Sequence, residues 1–409
     1  MSPIASYRHL LDLAGPAYVA VAFLGRLPLA MSQLGTLLLV SAATGTYAAG
    51  GLAAGALAVA NAVCSPFAGS LADRVGQRPV VLAQSLAGGA GLAALVVLAK
   101  AGATESWLVP TAALAGAVLP QIGPLARVRW RPITHGSGDL QPRLVDAAFS
   151  YEGAADEASF VIGPAAVGLI AVVVDPGGSI LFAAAILLVF GCWFALHPTA
   201  GLTHAHRPIA TGVGRVLTTA FAILLAAQLC VGMIFGSVQT GATVLATVEG
   251  QAGLAGLVHA TLGVGSVLAG LAVAGVPQRV GFEVRMLVAA AGLFVLSLPL
   301  LLVGGLVSLV LVVLVLGCAV APYMISNFTL GERVVPPTRV GTAMTLLAGA
   351  TGIGYALGSS VAGGLADEGG HTPAFAVTVV AAGLAAALAA LSQRTLRSAV
   401  VPARGKALA

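Results

Sequence analysis

Gly69-Ser-Leu-Ala-Asp73-Arg74-Val-Gly76-Gln77-Arg78 sets three charged side chains and two glycines between two long apolar runs. The company it keeps decides how it is read. Of the 409 residues, 58% are apolar and only 8% are charged, against roughly 25% charged in a soluble domain. The chain is a membrane protein by composition. A span needs about 20 mostly apolar residues, so this much apolar sequence allows about a dozen spans with short connections and no separate soluble domain. The runs are continuous and rich in Ala, Leu, Val and Gly, without the alternation of a transmembrane barrel, so the expected class is all-α and polytopic.

Hydropathy and the Gly, Pro and charge punctuation predict twelve helices near 14–41, 46–72, 80–99, 106–127, 147–174, 179–196, 216–246, 252–276, 284–303, 306–328, 338–365 and 373–392. With a cytoplasmic amino terminus, seventeen of the nineteen cations fall inside; Lys100 falls outside and Arg26 within the first span. The outer loops carry Glu105, Asp175, Glu249, Asp367 and Glu368. A misplaced helix would scramble this bias, so it supports the number of spans as well as the orientation, with both termini cytoplasmic. The polar stretch 197–215, with His197, His204, His206, Arg207 and Arg215, divides the helices into an amino-terminal bundle (1–196) and a carboxy-terminal bundle (216–392), followed by a cytoplasmic tail (393–409).

The net charge of +5 is scattered through short loops, which fits orientation in a membrane and not a nucleic-acid face. Arg127, Arg129, Trp130 and Arg131 are read as positive-inside anchoring with an interfacial tryptophan. Cys64, Cys192, Cys230 and Cys318 lie in apolar runs without ligand spacing and read as small core residues. The first apolar run, from Ala14 to Ser41, is too long for a signal-peptide core, so it is expected to stay attached.

The decapeptide resembles the signature loop of the major facilitator superfamily, G-x-L-A-D-R-x-G-R-R/K, which joins the second and third spans on the cytoplasmic side. Gly69, Leu71, Ala72, Asp73, Arg74, Gly76 and Arg78 match, and Gln77 stands where the pattern is usually basic. The resemblance implies two six-helix bundles. It also implies that Asp73 meets the amino terminus of the eleventh helix, here near Pro337-Thr338-Arg339, as a cytoplasmic gate built from Gly69, Asp73, Arg74, Gly76 and Arg78. Gly163-Pro164 with Gly168 resembles the Gly-Pro signature of the family's exporters and antiporters in helix five, and proline and glycine there suit a hinge. The family's arginine and glutamine in helix four have no counterpart, since Gln121 and Gly123 are present but no arginine precedes Arg127.

Internal similarity accompanies this. Phe160 to Gly168 aligns with Tyr355 to Gly363, and Gly69 to Arg78 aligns with Gly270 to Arg279, where Ala274 replaces Asp73. On this reading the latch rests on Asp73 alone.

Charges inside a span cost about 2.5–3.5 kcal/mol at a helix centre, so each asks for a reason. Arg26 lies about twelve residues into the first span, as a structural cation or as a residue that binds an anion or tunes a protonatable partner. Its candidate partners are Glu152, Asp156 and Glu157; the first and second are one turn apart. Glu152 also suits the positive end of the helix dipole. Burial favours a neutral carboxyl and an arginine favours the ionised one, so Asp156 or Glu157 is expected to load and release a proton. His259, Gln33, Asn61, Gln228, Gln239 and Asn327 are polar groups within spans and read first as interhelical contacts. In relatives the first, fourth, seventh and tenth helices line the central cavity, which nominates Arg26, Gln33, Gln121, Gln228 and Asn327 for substrate.

The expected activity is proton-coupled export of a small amphipathic drug or metabolite by alternating access, in the inner (plasma) membrane. Uptake of a sugar, amino acid or organic anion is the alternative, the anion version resting on Arg26. The expected partners are substrate, protons and lipid, for a monomer with no cofactor. No His-rich metal set, nucleophile arrangement or phosphate-binding loop points to an enzyme or an ATP-driven pump.

Overall fold

Gly15 (φ +79°) separates a short leading helix from the first long one. The computed structural model describes residues 3–205, 216–251 and 254–405, and among them there is no strand. The first part comprises α1 (Pro3–Ala14), α2 (Pro16–Thr44), α3 (Tyr47–Val75), α4 (Gln77–Lys100), α5 (Glu105–Val118), α6 (Ile122–Ile133), α7 (Gln141–Val173), α8 (Pro176–Ile186), α9 (Cys192–Leu196) and α10 (Thr199–Ala205). The second comprises α11 (Thr219–Val248), α12 (Ala255–Val273), α13 (Phe282–Ser297), α14 (Leu306–Val334), α15 (Val340–Gly369), α16 (His371–Leu391) and α17 (Gln393–Gly405).

Eleven stretches of the described residues are long and apolar enough to cross a membrane, with α5–α6 and α8–α9 each forming one of them. The expected span 252–276 is α12, in which Ala260–Val273 is a shorter apolar helix. The twelve expected spans therefore appear as eleven and one shorter helix. The side chains of His204, His259, Asp367 and Arg404, and residues His206, Arg207, Arg215 and Lys406, lie outside what is described.

The fourth span departs from the expected unbroken 106–127. Pro120 pushes the preceding Leu119 into extended geometry (φ −65°, ψ 126°), which ends α5 before α6 begins. The carbonyls released by the break are not left bare. Asn61 Nδ2 donates to Gly116 O and Leu119 O, both at 2.9 Å, while its Oδ1 accepts from Gln121 Nε2 at 2.6 Å. Elsewhere Asp175 caps α8 by accepting from Gly178 N, and that amide with Lys100 holds its exposed carboxyl below the usual carboxylate range.

The buried apolar side chains cluster among residues 10–195 and, separately, among 220–396, the latter joined by Val145 and Phe149 of α7. Within a bilayer, helix association relies on close backbone approach more than on the hydrophobic effect. The aligned glycines show it. Gly163 on α7 lies against Ala30 of α2, and Gly358 on α15 lies against Met233 of α11, so the internal similarity recurs as an equivalent contact. Between α11 and α15, Gly232 and Gly236 face Gly354 and the Tyr355 carbonyl, while Gly354 and Gly358 face the Leu229 and Met233 carbonyls. A side chain at these positions would strike backbone. Gly354→Val is expected to cost most of the monodisperse protein recovered in mild detergent, whereas Gly363→Val, at a position with no atom within 4 Å of the new Cβ, is expected to leave it unchanged.

Candidate functional site

Glu152 and Asp156 stand one turn apart on α7, so one guanidinium can bridge them. Arg26, on α2, does so. Its Nη2 lies 2.6 Å from Glu152 Oε2 and its Nη1 3.0 Å from Asp156 Oδ1, while Nε donates to Ala22 O at 3.1 Å. Trp130 Nε1 on α6 donates to Glu152 Oε1 at 2.7 Å. Arg127, also on α6, brings Nη1 to 2.7 Å from Asp156 Oδ2, an ion pair without hydrogen-bond alignment, and leaves its Nε unpaired. Two arginines thus face two carboxylates, and the set is neutral. Gly123 makes room for it, since a Cβ there would collide with Asp156 Oδ1. The Glu152 side chain is 0% exposed and that of Asp156 20%, so solvent or a ligand meets the network at Asp156.

Glu157 points elsewhere. Its carboxyl is buried beside the Ser266 hydroxyl of α12, at a level where Gly263 approaches Val161, and it forms no ion pair with the described residues. Of the three acids proposed as partners of Arg26, two meet it and the third does not.

The opening decapeptide sits at a junction of α3, α4 and α15. Asp73 accepts from Gly341 N at 3.0 Å and from Thr342 N and Thr342 Oγ1 at 2.7 Å, so the receiving amides lie just beyond the expected Pro337 to Arg339. These are unpaired first-turn donors at the positive end of α15. Gly69 permits the approach, because a Cβ there would meet Gly341 O at 2.8 Å. Gly76 turns the chain at φ +95°, which side-chain-bearing residues rarely adopt. Arg74 is the basic residue of the last turn of α3.

Gln77, the departure from the pattern, has a reason. It accepts from Arg129 Nε at 2.8 Å and donates to Leu125 O at 3.1 Å, where a cation would repel Arg129. Arg129 is buried without a carboxylate among its hydrogen-bond partners. It bonds Phe194 O and Thr199 Oγ1 and stacks 3.5 Å from the Phe194 ring centre, while Arg78 bonds Leu196 O. Both arginines thus serve the negative carboxyl end of the sixth span. Interfacial anchoring was expected of Arg127, Arg129 and Trp130; all three are buried, and only Arg131 keeps an exposed side chain.

Further polar contacts, which the sequence did not point to, join the two halves. Arg131 on α6 grips Glu332 of α14 with Nε at 2.5 Å and Nη2 at 3.0 Å. Arg333 pairs with Asp146 of α7, which also accepts from Gln278 at 3.4 Å, and Tyr7 of α1 donates to Leu271 O of α12 at 2.9 Å. Asp73 is therefore one of several polar contacts between the two halves. These partners are far apart in sequence, and for the ion pairs the only sequence signal was charge at span ends.

Other nominated residues fall into quieter settings. Pro164 lies inside an uninterrupted α7, and a Cβ at Gly168 would meet nothing within 4 Å. Gln33 is half-buried, and Gln121 belongs to the α5–α6 break. Gln228 and Asn327 do not face open space: both are fully buried, Asn327 Nδ2 donates to Gln228 Oε1 at 2.8 Å, and Gln228 Nε2 donates to Thr351 Oγ1 at 2.9 Å. They join α11, α14 and α15. Tyr355 bonds Gln239 at 2.8 Å in the same role. The four cysteines are free, and no metal-holding group of His, Cys, Asp or Glu occurs among the described residues.

A family model of the Major Facilitator Superfamily matches residues 18–347. The chain belongs to this family. Among solved structures it is similar to the human organic anion transporter MFSD10 (TETRAN), with 19% identity and a TM-score of 0.68, covering 91% of this chain and 99% of that one. A bacterial homologue of the iron transporter ferroportin in an outward-facing state gives 14% identity, a TM-score of 0.73, and coverage of 93% and 98%. The facilitator-superfamily transporter FucP in its outward conformation gives 15%, 0.65, and 94% and 99%. At these identities the likeness is one of fold. No curated protein matches the sequence. Membership makes the chain a multi-pass membrane transporter of small molecules and not an enzyme.

In this facilitator-superfamily chain, removing one member of the buried pair leaves the other charge stranded, at a cost of about 3–5 kcal/mol. Arg26→Gln and Glu152→Gln are each expected to lower the melting temperature sharply, and the double substitution is expected to cost much less than their sum. Additive losses would mean the pair is not coupled.

Proposed function

We propose that the protein is a secondary active transporter that exports a small amphipathic drug or metabolite in exchange for protons. The supporting observation is the neutral buried network with Asp156 at its accessible edge and Glu157, unpaired, one residue on. A carboxyl without a cation partner enters a low-dielectric interior far more cheaply as the neutral acid, and ionises when water reaches it. Alternating exposure of such a group moves a proton. Glu157 lies at the α7–α12 contact between the two halves, where rocking changes its surroundings, and we assign it the proton, with Asp156 as the group through which substrate and network communicate.

The cycle is rocking of residues 1–196 against 216–392, with 197–215 as the connection and Gly163-Pro164 as the flexing point of α7. We place the Asp73 end in the cytoplasm on the positive-inside bias, in an inner or plasma membrane, the protein acting as a monomer. Asp73, Arg131–Glu332 and Asp146–Arg333 then form the closed cytoplasmic gate. Uptake of an organic anion is less well supported, because Arg26 is engaged by two carboxylates and offers no free guanidinium.

Reconstitution into liposomes tests this. Addition of substrate is expected to release protons, and Asp156→Asn with Glu157→Gln is expected to abolish flux driven by a pH gradient; intact pH-driven flux in the double variant would exclude proton coupling through these acids. Asp73→Asn loses one charged acceptor at the gate, and turnover is expected to fall about tenfold, equivalent to about 1.4 kcal/mol, with membrane insertion unchanged.

A further inference from the structure

The Arg127 guanidinium has three surroundings. Asp156 pairs with it at one edge, its Nε meets no partner, and the Phe328 ring of α14 lies against its face with the centroid 4.3 Å from Cζ. Arg127 and Phe328 are both sealed at 2% exposure. They belong to different halves of the molecule. One turn farther along the same two helices, Arg131 and Glu332 form an ion pair, so α6 and α14 meet through two successive rungs, one aromatic and one ionic. The outer rung closes the end. The inner rung touches the charge network.

We propose that Phe328 is a positioning residue that makes the charge state of Asp156 depend on how the two halves are arranged. With the ring in place, the guanidinium is desolvated on that face, and a desolvated cation binds both a ring and a carboxylate more tightly than a hydrated one. Arg127 is then held on Asp156. When α14 withdraws from α6 the ring leaves, water reaches the guanidinium, and its hold on Asp156 weakens, so the carboxylate becomes free to accept a proton or exchange partners. The inference rests on the proton-coupled reading for its part in transport, but the physical linkage between Phe328, Arg127 and Asp156 stands or falls by itself.

The groups facing this site are Arg26 and Tyr18 of α2, Arg127 and Trp130 of α6, and Tyr151, Glu152, Asp156 and Glu157 of α7; α14 contributes Phe328 and α12 contributes Ser266. Trp130, bonded to Glu152, reports on the network from inside it. Of the three tryptophans, Trp107 and Trp193 can be replaced by Phe to isolate its emission.

In that background the full-length protein is titrated in detergent without substrate. Phe328→Tyr, which keeps the ring, is expected to retain the parent's emission midpoint. Phe328→Ala, which removes the ring and opens that face of the guanidinium to water, is expected to move the midpoint toward higher pH by about one unit. In an Arg127→Gln background, where the cation is gone, Phe328→Ala is expected to add nothing. Phe328→Ser serves the same comparison should the alanine variant not fold. An unchanged midpoint in the Ala or Ser variant, or an equal shift with Gln at 127, overturns the inference. The two readings separate in liposomes: a midpoint shift without proton movement in the unaltered protein sinks proton coupling and leaves the linkage, while substrate-driven proton release with no midpoint shift does the reverse.

Discussion

A guanidinium placed midway along a membrane span must find its counter-charge inside the protein, and the arrangement of the amino-terminal half follows from that requirement. Arg26 needs two carboxylates on a neighbouring helix, which Glu152 and Asp156 supply only because they repeat at one turn of α7. That leaves a net negative charge, which Arg127 of α6 neutralises. Three helices are thereby fixed in rotation about their own axes, a constraint that apolar packing in lipid imposes weakly. Gly123 is part of the same solution, since α6 has to pass close to the Asp156 carboxylate.

The break in the fourth span serves this geometry too. By ending α5 at Val118 and restarting at Ile122, the chain lets α6 take its own direction, so that Arg127, Trp130 and Arg131 each reach a different neighbour. Pro120 sets the break and Asn61 supplies donors for the freed carbonyls, a combination that keeps irregular backbone tolerable at membrane depth. A residue read as generic interhelical contact is in fact what makes the interruption affordable.

Much of this was legible beforehand, and the boundary of legibility has a physical origin. Span positions follow from hydropathy, which is local, so the long helices lie close to where the pattern puts them. The Asp73 motif and the Arg26–Glu152–Asp156 grouping were legible because charge in a span is scarce and few partners compete. Arg127 and Arg129 were misread as surface anchors: near a span end, a cation in water and a cation under a neighbouring helix look alike until the neighbour is placed. For Gln228 and Asn327 two readings stood side by side, interhelical contact and cavity lining, since periodicity identifies a helix's polar face without saying whether solvent or another helix meets it; here they bond each other and Thr351. Asp146, Glu332 and Arg333 carried no motif at all; only the fold brings them together.

The two halves also build their equivalent junctions differently, although they share an internal repeat. At the end of α3, Asp73 supplies the anion and the start of α15 supplies amide donors. At the equivalent junction, the loop after α12 has Ala274 in place of the acid, but the start of α7 carries Asp146, which accepts from Gln278 of that loop and pairs with Arg333 of α14. The anion has changed sides. Loss of the acid from the second loop therefore need not mean loss of the second latch, because a junction needs one anion and its donors, not a particular donor of the anion. The consequence is unequal strength. Asp73 is held by two backbone amides, which cannot change rotamer, and by the Thr342 hydroxyl, whereas Asp146 is held by side chains alone, so the α7–α12 junction is the more adjustable of the two. It is also the junction against which Glu157 is buried.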